Sequence, residues 1–197
     1  MQQFLIYKYN NDMKKAFLSI LMVLCCLIAS AQNKSVEFRI SPTGTFLSDD
    51  GKDYIIYPVE GTSHELYQMV CTNVGKVYNS AKDVMSTVED KSVAIRAFSD
   101  NLIISEIMLG IKFYYSFYYN LLFEFKDGRI KITAPIIGEM NGDGKRSTFY
   151  KKSQKFFDKH GNIKKSRAEE KMTIENEFNG IISKLLSIDN KSSDNDW

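Results

Sequence analysis

The chain has 197 residues, of which 44% are hydrophobic and 25% charged, with 26 basic and 24 acidic residues. This composition is that of a globular protein and excludes an intrinsically disordered chain. The near balance of charge argues against a nucleic-acid binder, because such proteins gain most of their affinity by neutralising phosphates.

The N-terminal 31 residues have the three-part pattern of a secretory signal peptide. Residues 13–15 (MKK) form a short basic start, residues 16–28 an apolar run, and residues 29–31 (ASA) a small-x-small cleavage site. Because the basic residues directly follow Met13, we interpret residues 1–12 as upstream of the true translation start. The pattern predicts export to the periplasm or the cell surface.

Two alternatives place the same segment in a membrane. A permanent anchor is disfavoured because the apolar run is shorter than the roughly 20 residues that a spanning helix needs. A lipid anchor at Cys25 or Cys26 is disfavoured because Leu24 and Cys25 are larger than the residue that normally precedes a lipidated cysteine. We therefore expect membrane contact only for the precursor, or peripherally.

Processing at this site leaves a neutral chain with one cysteine. Removing residues 1–31 takes three basic residues and one acidic residue from the totals of 26 and 24, which leaves 23 of each among the remaining 166 residues. Cys71 is the cysteine that remains, so no intrachain disulfide can form. Stability must then come from the core of a single domain.

The first half of the mature chain predicts a lead-in segment, a strand and a helix. Residues 32–52 form the lead-in, with one short strand at 36–40, and residues 54–59 form the first confident strand. Thr62 and Glu65 have the spacing of a capping box that opens a helix. Its apolar stripe consists of Leu66, Val70, Val74 and Val77.

Two short strands, at 84–88 and 93–98, precede a long aromatic hairpin at residues 111–134. Asp127-Gly128 predicts a two-residue type I′ turn, which sets the register of the hairpin. One face should then carry the apolar pairs Phe125–Ile130, Phe123–Ile132 and Leu121–Ala134. The opposite face should carry Glu124–Lys131 and Leu122–Thr133.

A basic segment and a second helix follow the hairpin. Residues 145–167 contain nine basic residues and one acidic residue, a net charge of +8. Ser166 and Glu169 have the spacing of another capping box. The apolar stripe of the helix that follows consists of Ile174, Phe178, Ile181, Ile182 and Leu185. Residues 189–197 are polar and are expected to be a disordered tail.

Three short motifs then point to a family: HELY at 64–67, YNSAKDV at 78–84 and FKDGR at 125–129, together with the export signal. With them, residues 54–188 resemble a secreted bacterial family of unknown function that has a TATA-binding-protein-like (TBP-like) fold. The resemblance implies one α+β domain at residues 53–188, with β-α-β4-α order and a curved antiparallel sheet that carries both helices on one face. It implies no activity. Members often have Trp in the middle of the first helix, where this chain has Asn73.

No pattern in the sequence predicts catalysis, a cofactor or a metal. Cys71 and His64 share one helix, but seven residues separate them by about 10 Å along its axis, which is beyond hydrogen-bond reach. Residues 139–144 resemble a calcium loop, yet Tyr150 stands where the twelfth-position carboxylate should be. Gly-rich phosphate loops, HExxH and GxSxG are absent from the sequence.

Two groups of residues are candidates for binding. Tyr114, Tyr118 and Leu122 should point away from the helices and form an interaction surface. Lys151, Lys152, Lys155 and Lys159 alternate with aromatic residues, which suits an anionic membrane surface or an acidic glycan as well as an ordinary solvated loop. Export argues against nucleic acid as the ligand of either group.

We therefore interpret the protein as a non-enzymatic envelope domain that binds a partner protein or a surface ligand. The alternative is a carrier of a small hydrophobic ligand, which would need an apolar cavity of a few hundred Å³ between the sheet and the helices. An interaction module would instead have a filled interior and an exposed patch outside.

Cleavage after Ala31 is directly testable. The intact mass of the protein isolated from the cell envelope should correspond to a chain that begins at Gln32, because the Ala-Ser-Ala sequence directs the signal peptidase there. A full-length mass, or one that includes a lipid, would contradict this prediction.

Overall fold

The computed structural model describes residues 36–103, 114–142 and 145–187, without the side chains of residues 100–103, 114–115, 142, 145–147 and 152. The chain divides between Ser35 and Val36 into two compact units, and all described residues belong to the second. The predicted signal peptide and C-terminal tail lie outside the described residues, as do residues 104–113, which include the first three residues of the predicted hairpin.

Eight strands and four α-helices are present in the described part of the chain. The strands are β1 (Phe38–Ile40), β2 (Phe46–Ser48), β3 (Tyr54–Pro58), β4 (Met85–Val88), β5 (Ser92–Ile103), β6 (Tyr114–Lys126), β7 (Arg129–Gly142) and β8 (Lys145–Thr148). The helices are α1 (Ser63–Val77), α2 (Ala81–Val84), α3 (Phe149–Ser153) and α4 (Ala168–Leu185). Short 3₁₀ turns occupy Gln154–Phe156 and Lys165–Arg167.

The main sheet is antiparallel, with strand order β3-β7-β6-β5-β4, and β8 pairs with the far end of β7. Helices α1 and α4 pack against each other and lie on the same face, where Tyr67 of α1 contacts Phe125 and Phe178 of α4 contacts Phe117. The predicted α+β class and the β-α-β4-α order are confirmed. Strand β8 and the short helices α2 and α3 are additions to that order.

The predicted register of the aromatic hairpin is confirmed from its turn to Leu122, which pairs with Thr133. Leu121 and Ala134, which were predicted to pair, are both buried as predicted but lie in an irregular interval of the ladder. Asn120 pairs with Ile136, so β7 has one more residue than β6 across this interval, which is a β-bulge. Pro135 lies inside the bulge, where its missing N–H breaks no ladder hydrogen bond.

The predicted type I′ turn is also wrong. Gly128 has φ of 73°, but Asp127 is not among the non-glycine residues with positive φ, whereas a type I′ turn needs positive φ at both positions. Contacts with the start of α1 account for the difference. Asp127 Oδ1 accepts a hydrogen bond from the Ser63 N–H at 2.7 Å, and the Gly128 N–H donates to the Gly61 carbonyl at 2.9 Å. The hairpin tip is therefore held by the N-terminus of α1.

One of the two predicted capping boxes forms. Thr62 Oγ1 accepts from the Glu65 N–H, and Glu65 Oε2 accepts from the Thr62 N–H at 2.8 Å, as predicted for α1. The box predicted from Ser166 and Glu169 is wrong. Ser166 lies inside the 3₁₀ turn that precedes α4, and the N-cap residue is Arg167, which makes no side-chain capping bond.

The lead-in segment contributes to the core through a hairpin of β1 and β2, of which only β1 was predicted. Helix α4 binds the free edge of β1 as a neighbouring strand would. Asn179 accepts from the Phe38 N–H at 2.9 Å and donates to its carbonyl at 3.1 Å, and Glu175 accepts from the Ile40 N–H at 2.6 Å. Because these two residues are four apart, they lie on one side of α4.

Asn73 connects the two long helices. Its side chain is 4% exposed, and its Nδ2 donates to the Leu185 carbonyl at 3.0 Å and to Ser187 Oγ at 2.5 Å. These acceptors lie at the C-terminal end of α4, where backbone carbonyls have no partner within the helix. Asn73 therefore caps α4 from α1, at a position that the apolar stripe did not include.

Replacing Asn73 with alanine should lower the free energy of unfolding by about 1–3 kcal/mol, because it leaves a buried carbonyl without its donor. The measurement is the midpoint of urea unfolding. Lys76→Ala, on the exposed side of the same helix, is the control and should change stability by less than about 0.5 kcal/mol. Equal midpoints for the two variants would show that the cap contributes nothing.

Candidate binding surface

The central strand β6 separates a buried face from an exposed one. Phe117, Phe123 and Phe125 are buried under the helices, as predicted. Tyr118 and Leu122 both lie on the face that points away from the helices, where Tyr118 is 54% exposed and Leu122 is half-buried. A second bulge of β7 lies between Ile137, which pairs with Tyr119, and Met140, which pairs with Phe117. The alternation along β6 is unbroken between Phe117 and Phe125, because the extra residues of both bulges lie in β7. The side chain of Tyr114 lies outside the described part of the chain.

The face of the sheet that points away from the helices, called the outer face below, has exposed apolar residues on five of the six strands. Residues directly opposite one another in an antiparallel pair share a face, so the strand register assigns them. They are Ile56 on β3, Val88 on β4, Phe98 on β5, Tyr118 on β6 and Ile136 on β7, with 41–59% of each exposed. Ile56 and Val88 are the two ends of one row across the sheet, with Lys131, Glu124 and Ser92 between them, whereas Phe98, Tyr118 and Ile136 lie close together farther from the hairpin tip. Exposed apolar side chains grouped in this second way mark an interaction site.

Phe98, Tyr118 and Arg96 form one cluster on the outer face. Phe98 pairs with Tyr118, and their ring centroids are 5.0 Å apart. The guanidinium of Arg96 lies 5.5 Å from the centroid of the Tyr118 ring, within cation–π range. Of these residues, sequence reasoning identified only Tyr118. Phe98 and Arg96 alternate with buried residues of β5, but only the register between β5 and β6 shows that they lie beside Tyr118.

An open hollow of about 370 Å³ lies beside this cluster. Apolar side chains from three strands, those of Ala94, Leu122 and Ile136, line it together with the polar side chains of Asn120 and Thr133. Its volume is within the range of small-ligand pockets, about 300–1,000 Å³. The hollow is large enough to receive one or two apolar side chains of a partner.

The charge on the outer face is positive. Along 92–99, 116–126 and 129–141 its charged residues are Arg96, Lys126, Arg129, Lys131, Glu124 and Glu139, a net charge of +2. Glu124 binds Lys131 at 2.7 Å, and this hydrogen bond raises the pKa of the Lys131 ammonium. Arg96 makes no ion pair with any described residue.

Aromatic rings pack together in the interior between the sheet and the helices. Phe178 of α4 lies 5.4 Å from Phe46, 6.3 Å from Phe117 and 5.3 Å from Tyr119, measured between ring centroids. A second hollow of about 230 Å³ is lined by residues of β2, β7 and α3, at the edge of the sheet, and by none from α1 or α4.

The predicted polyanion-contacting lysines are spread over several short elements. Lys151, Lys155 and Lys159 are exposed on α3, the following 3₁₀ turn and the turn after it, and the side chain of Lys152 lies outside the described residues. The aromatic residues between them divide in two groups. Tyr150 is exposed, whereas Phe149, Phe156 and Phe157 are buried in the core. Most of the aromatic residues in the segment therefore cannot face a membrane.

Cys71 and His64 do not form a catalytic pair in the structure. Cys71 is half-buried, and this burial raises the pKa of its thiol, which disfavours the reactive thiolate. His64 Nδ1 lies 2.8 Å from Asp90 Oδ1, in the turn between β4 and β5. Among the described residues, no three His, Cys, Asp or Glu side chains are grouped as metal ligands would be.

Comparison with known proteins defines the class of fold. No family model matches the sequence, and no curated protein matches it. A DUF4468 family protein from Bacteroides ovatus has a similar structure, with a TM-score of 0.56 and 8% identity over 76% of this chain and 91% of that chain. At this identity the likeness shows a shared fold and not a shared activity.

A TBP-like protein from Parabacteroides distasonis also matches, with a TM-score of 0.45 and 12% identity over 67% of this chain and 90% of that chain. Neither protein is named for a catalytic activity. The described part of the chain is an α+β domain whose antiparallel sheet carries two helices on one face, the fold class predicted from the sequence.

The two faces of β6 predict opposite responses to truncation. Phe123→Ala should lower the free energy of unfolding by about 3–5 kcal/mol, because the ring is fully buried under the helices. Tyr118→Ala should cost less than about 1 kcal/mol, the value of one exposed cross-strand aromatic pair. Thermal melts of both variants decide the point. If Tyr118→Ala unfolds as readily as Phe123→Ala, the tyrosine belongs to the core and the outer face is not a free surface.

Proposed function

We propose that this protein is an exported, non-enzymatic binding module of the cell envelope, and that its outer face binds a partner protein. The observation that carries the proposal is the presence of an exposed apolar side chain on each of the strands β3, β4, β5, β6 and β7 of that face. A sheet face that only met water would carry polar side chains at these positions.

The spread of the exposed apolar side chains favours a protein over a small molecule. Ile56 and Val88 lie at the two ends of the strand order β3-β7-β6-β5-β4, about 19 Å apart at about 4.8 Å per strand, with Lys131, Glu124 and Ser92 between them. A surface of this width that mixes apolar and polar side chains is typical of a protein interface. Phe98, Tyr118 and Arg96 add the residue types that are enriched in protein interfaces.

The signal-peptide pattern supports the compartment, and the packing of the domain supports the class. The signal-peptide pattern at residues 13–31 supports export. The helices in the described part of the chain are too short or too polar for any of them to cross a bilayer. The pattern of a filled interior and an exposed outer patch is the one expected of an interaction module. It gives no support to the alternative of a carrier with its ligand between sheet and helices.

Recovery of a partner from native envelopes with matched variants tests the proposal. The tagged protein, Tyr118→Ala and Ile136→Ser would each be cross-linked reversibly in cells and purified, and the proteins recovered would be quantified. We expect a partner whose recovery falls at least tenfold with both variants, because interface aromatic and large apolar residues carry most of the binding energy.

Met172→Ser is the control, because Met172 is 54% exposed on α4, outside the outer face. It should leave the recovery of the partner unchanged. A partner lost equally with Met172→Ser, or retained by both outer-face variants, would show that binding does not use this surface.

A further inference from the structure

Arg96 is the charged residue at the centre of the outer face. It lies on β5 between Ala94 and Phe98 and opposite Asn120, and its side chain lines the hollow. The other basic residues of this face are near the hairpin tip, where Glu124 neutralises Lys131. Arg96 thus differs from them in both its position and its lack of an acidic partner among the described residues.

A purely apolar partner would be penalised at this position. Covering the face removes water from the Arg96 guanidinium, and burying a charge without a partner is costly. The penalty disappears if the incoming surface supplies a carboxylate. The net charge of +2 on the face favours the same kind of partner through long-range attraction.

We infer that the partner protein presents an acidic side chain flanked by apolar ones, and that its carboxylate binds Arg96 while the apolar groups enter the hollow. This inference rests on the proposed function of the outer face and names the chemistry that the face selects. The apolar groups would contact Ala94, Leu122 and Ile136.

The geometry prepares Arg96 for this role. Its guanidinium is held against the Tyr118 ring, so less side-chain freedom is lost when a carboxylate binds. Its N–H groups can meet both oxygens of a carboxylate at once, which a lysine ammonium cannot do with the same geometry. The side-chain amide of Asn120 lines the same hollow and can donate a further hydrogen bond.

Two fluorescent dyes that differ by one anionic group provide the test. Anilinonaphthalene sulfonate has an apolar ring system with a sulfonate, which stands in for the carboxylate, and N-phenylnaphthylamine has the same rings without it. Each dye would be titrated into the folded protein and into Arg96→Gln, Arg96→Lys, Ile136→Ser and Lys155→Gln.

We expect Arg96→Gln to lower the affinity for the sulfonate dye at least tenfold and to change the affinity for the neutral dye less than twofold. Arg96→Lys should have an intermediate effect on the sulfonate dye, because it keeps the charge but not the planar fork. Ile136→Ser should lower the affinity for both dyes, because Ile136 lines the hollow. Lys155→Gln removes an exposed cation outside the outer face and should affect neither.

Equal effects of Arg96→Gln on the two dyes would overturn the inference and leave the proposed function standing, because Arg96 would then act only by packing. If Ile136→Ser changed the affinity for neither dye, the outer face would not bind apolar groups and the proposed function would fail as well.

Native mass spectrometry of the protein isolated from its own envelope distinguishes a protein partner from a small-molecule ligand. A small-molecule adduct that is absent from Arg96→Gln would show that the outer face binds an amphipathic anion and not a protein, which would overturn the inference.

Discussion

The burial of alternate residues of β6 beneath α1 and α4 is the constraint on which the rest of the structure depends. Phe117, Tyr119, Leu121, Phe123 and Phe125 are all at most 5% exposed. Because side chains of a strand alternate between its faces, the residues between them must point away from the helices. The helices cover one face only, so any apolar residue at those positions meets water. The fold therefore determines that Tyr118 and its neighbours on this face are exposed. It does not determine that these residues are aromatic.

The bulges of β7 decide what the outer face contains. Without the extra residue in the interval between Thr133 and Ile136, Pro135 would stand opposite Asn120, and Ile136 would turn toward the helices. With it, Ile136 is 59% exposed and borders the hollow, while Ala134 and Pro135 are both buried. The bulge thus combines a filled interior with an apolar outer surface.

Helix α4 has a polar role in addition to its apolar stripe. Glu175 pairs with Lys171 within the helix and accepts from the backbone of β1, and Asn179 completes the contact with that strand. Buried ion pairs are weak evidence for stability by themselves. Here the buried polar groups satisfy the edge of β1, which would otherwise leave backbone groups without partners. The N-terminal hairpin is joined to the domain by these bonds as well as by the burial of Phe38 and Phe46.

Local patterns determined the elements of this fold: the Thr62–Glu65 capping box, the alternation along β6 and the register next to the Asp127-Gly128 turn depend on residues close in sequence. They also identified Tyr118 as an outward residue. The tertiary structure alone decided the bulge at Pro135, the turn type and the contacts of Asn73 and Glu175, because each depends on groups many residues away. The same reason applies to the binding surface. Phe98 and Arg96 lie beside Tyr118 only because β5 and β6 pair in one register, which no short segment of the sequence specifies.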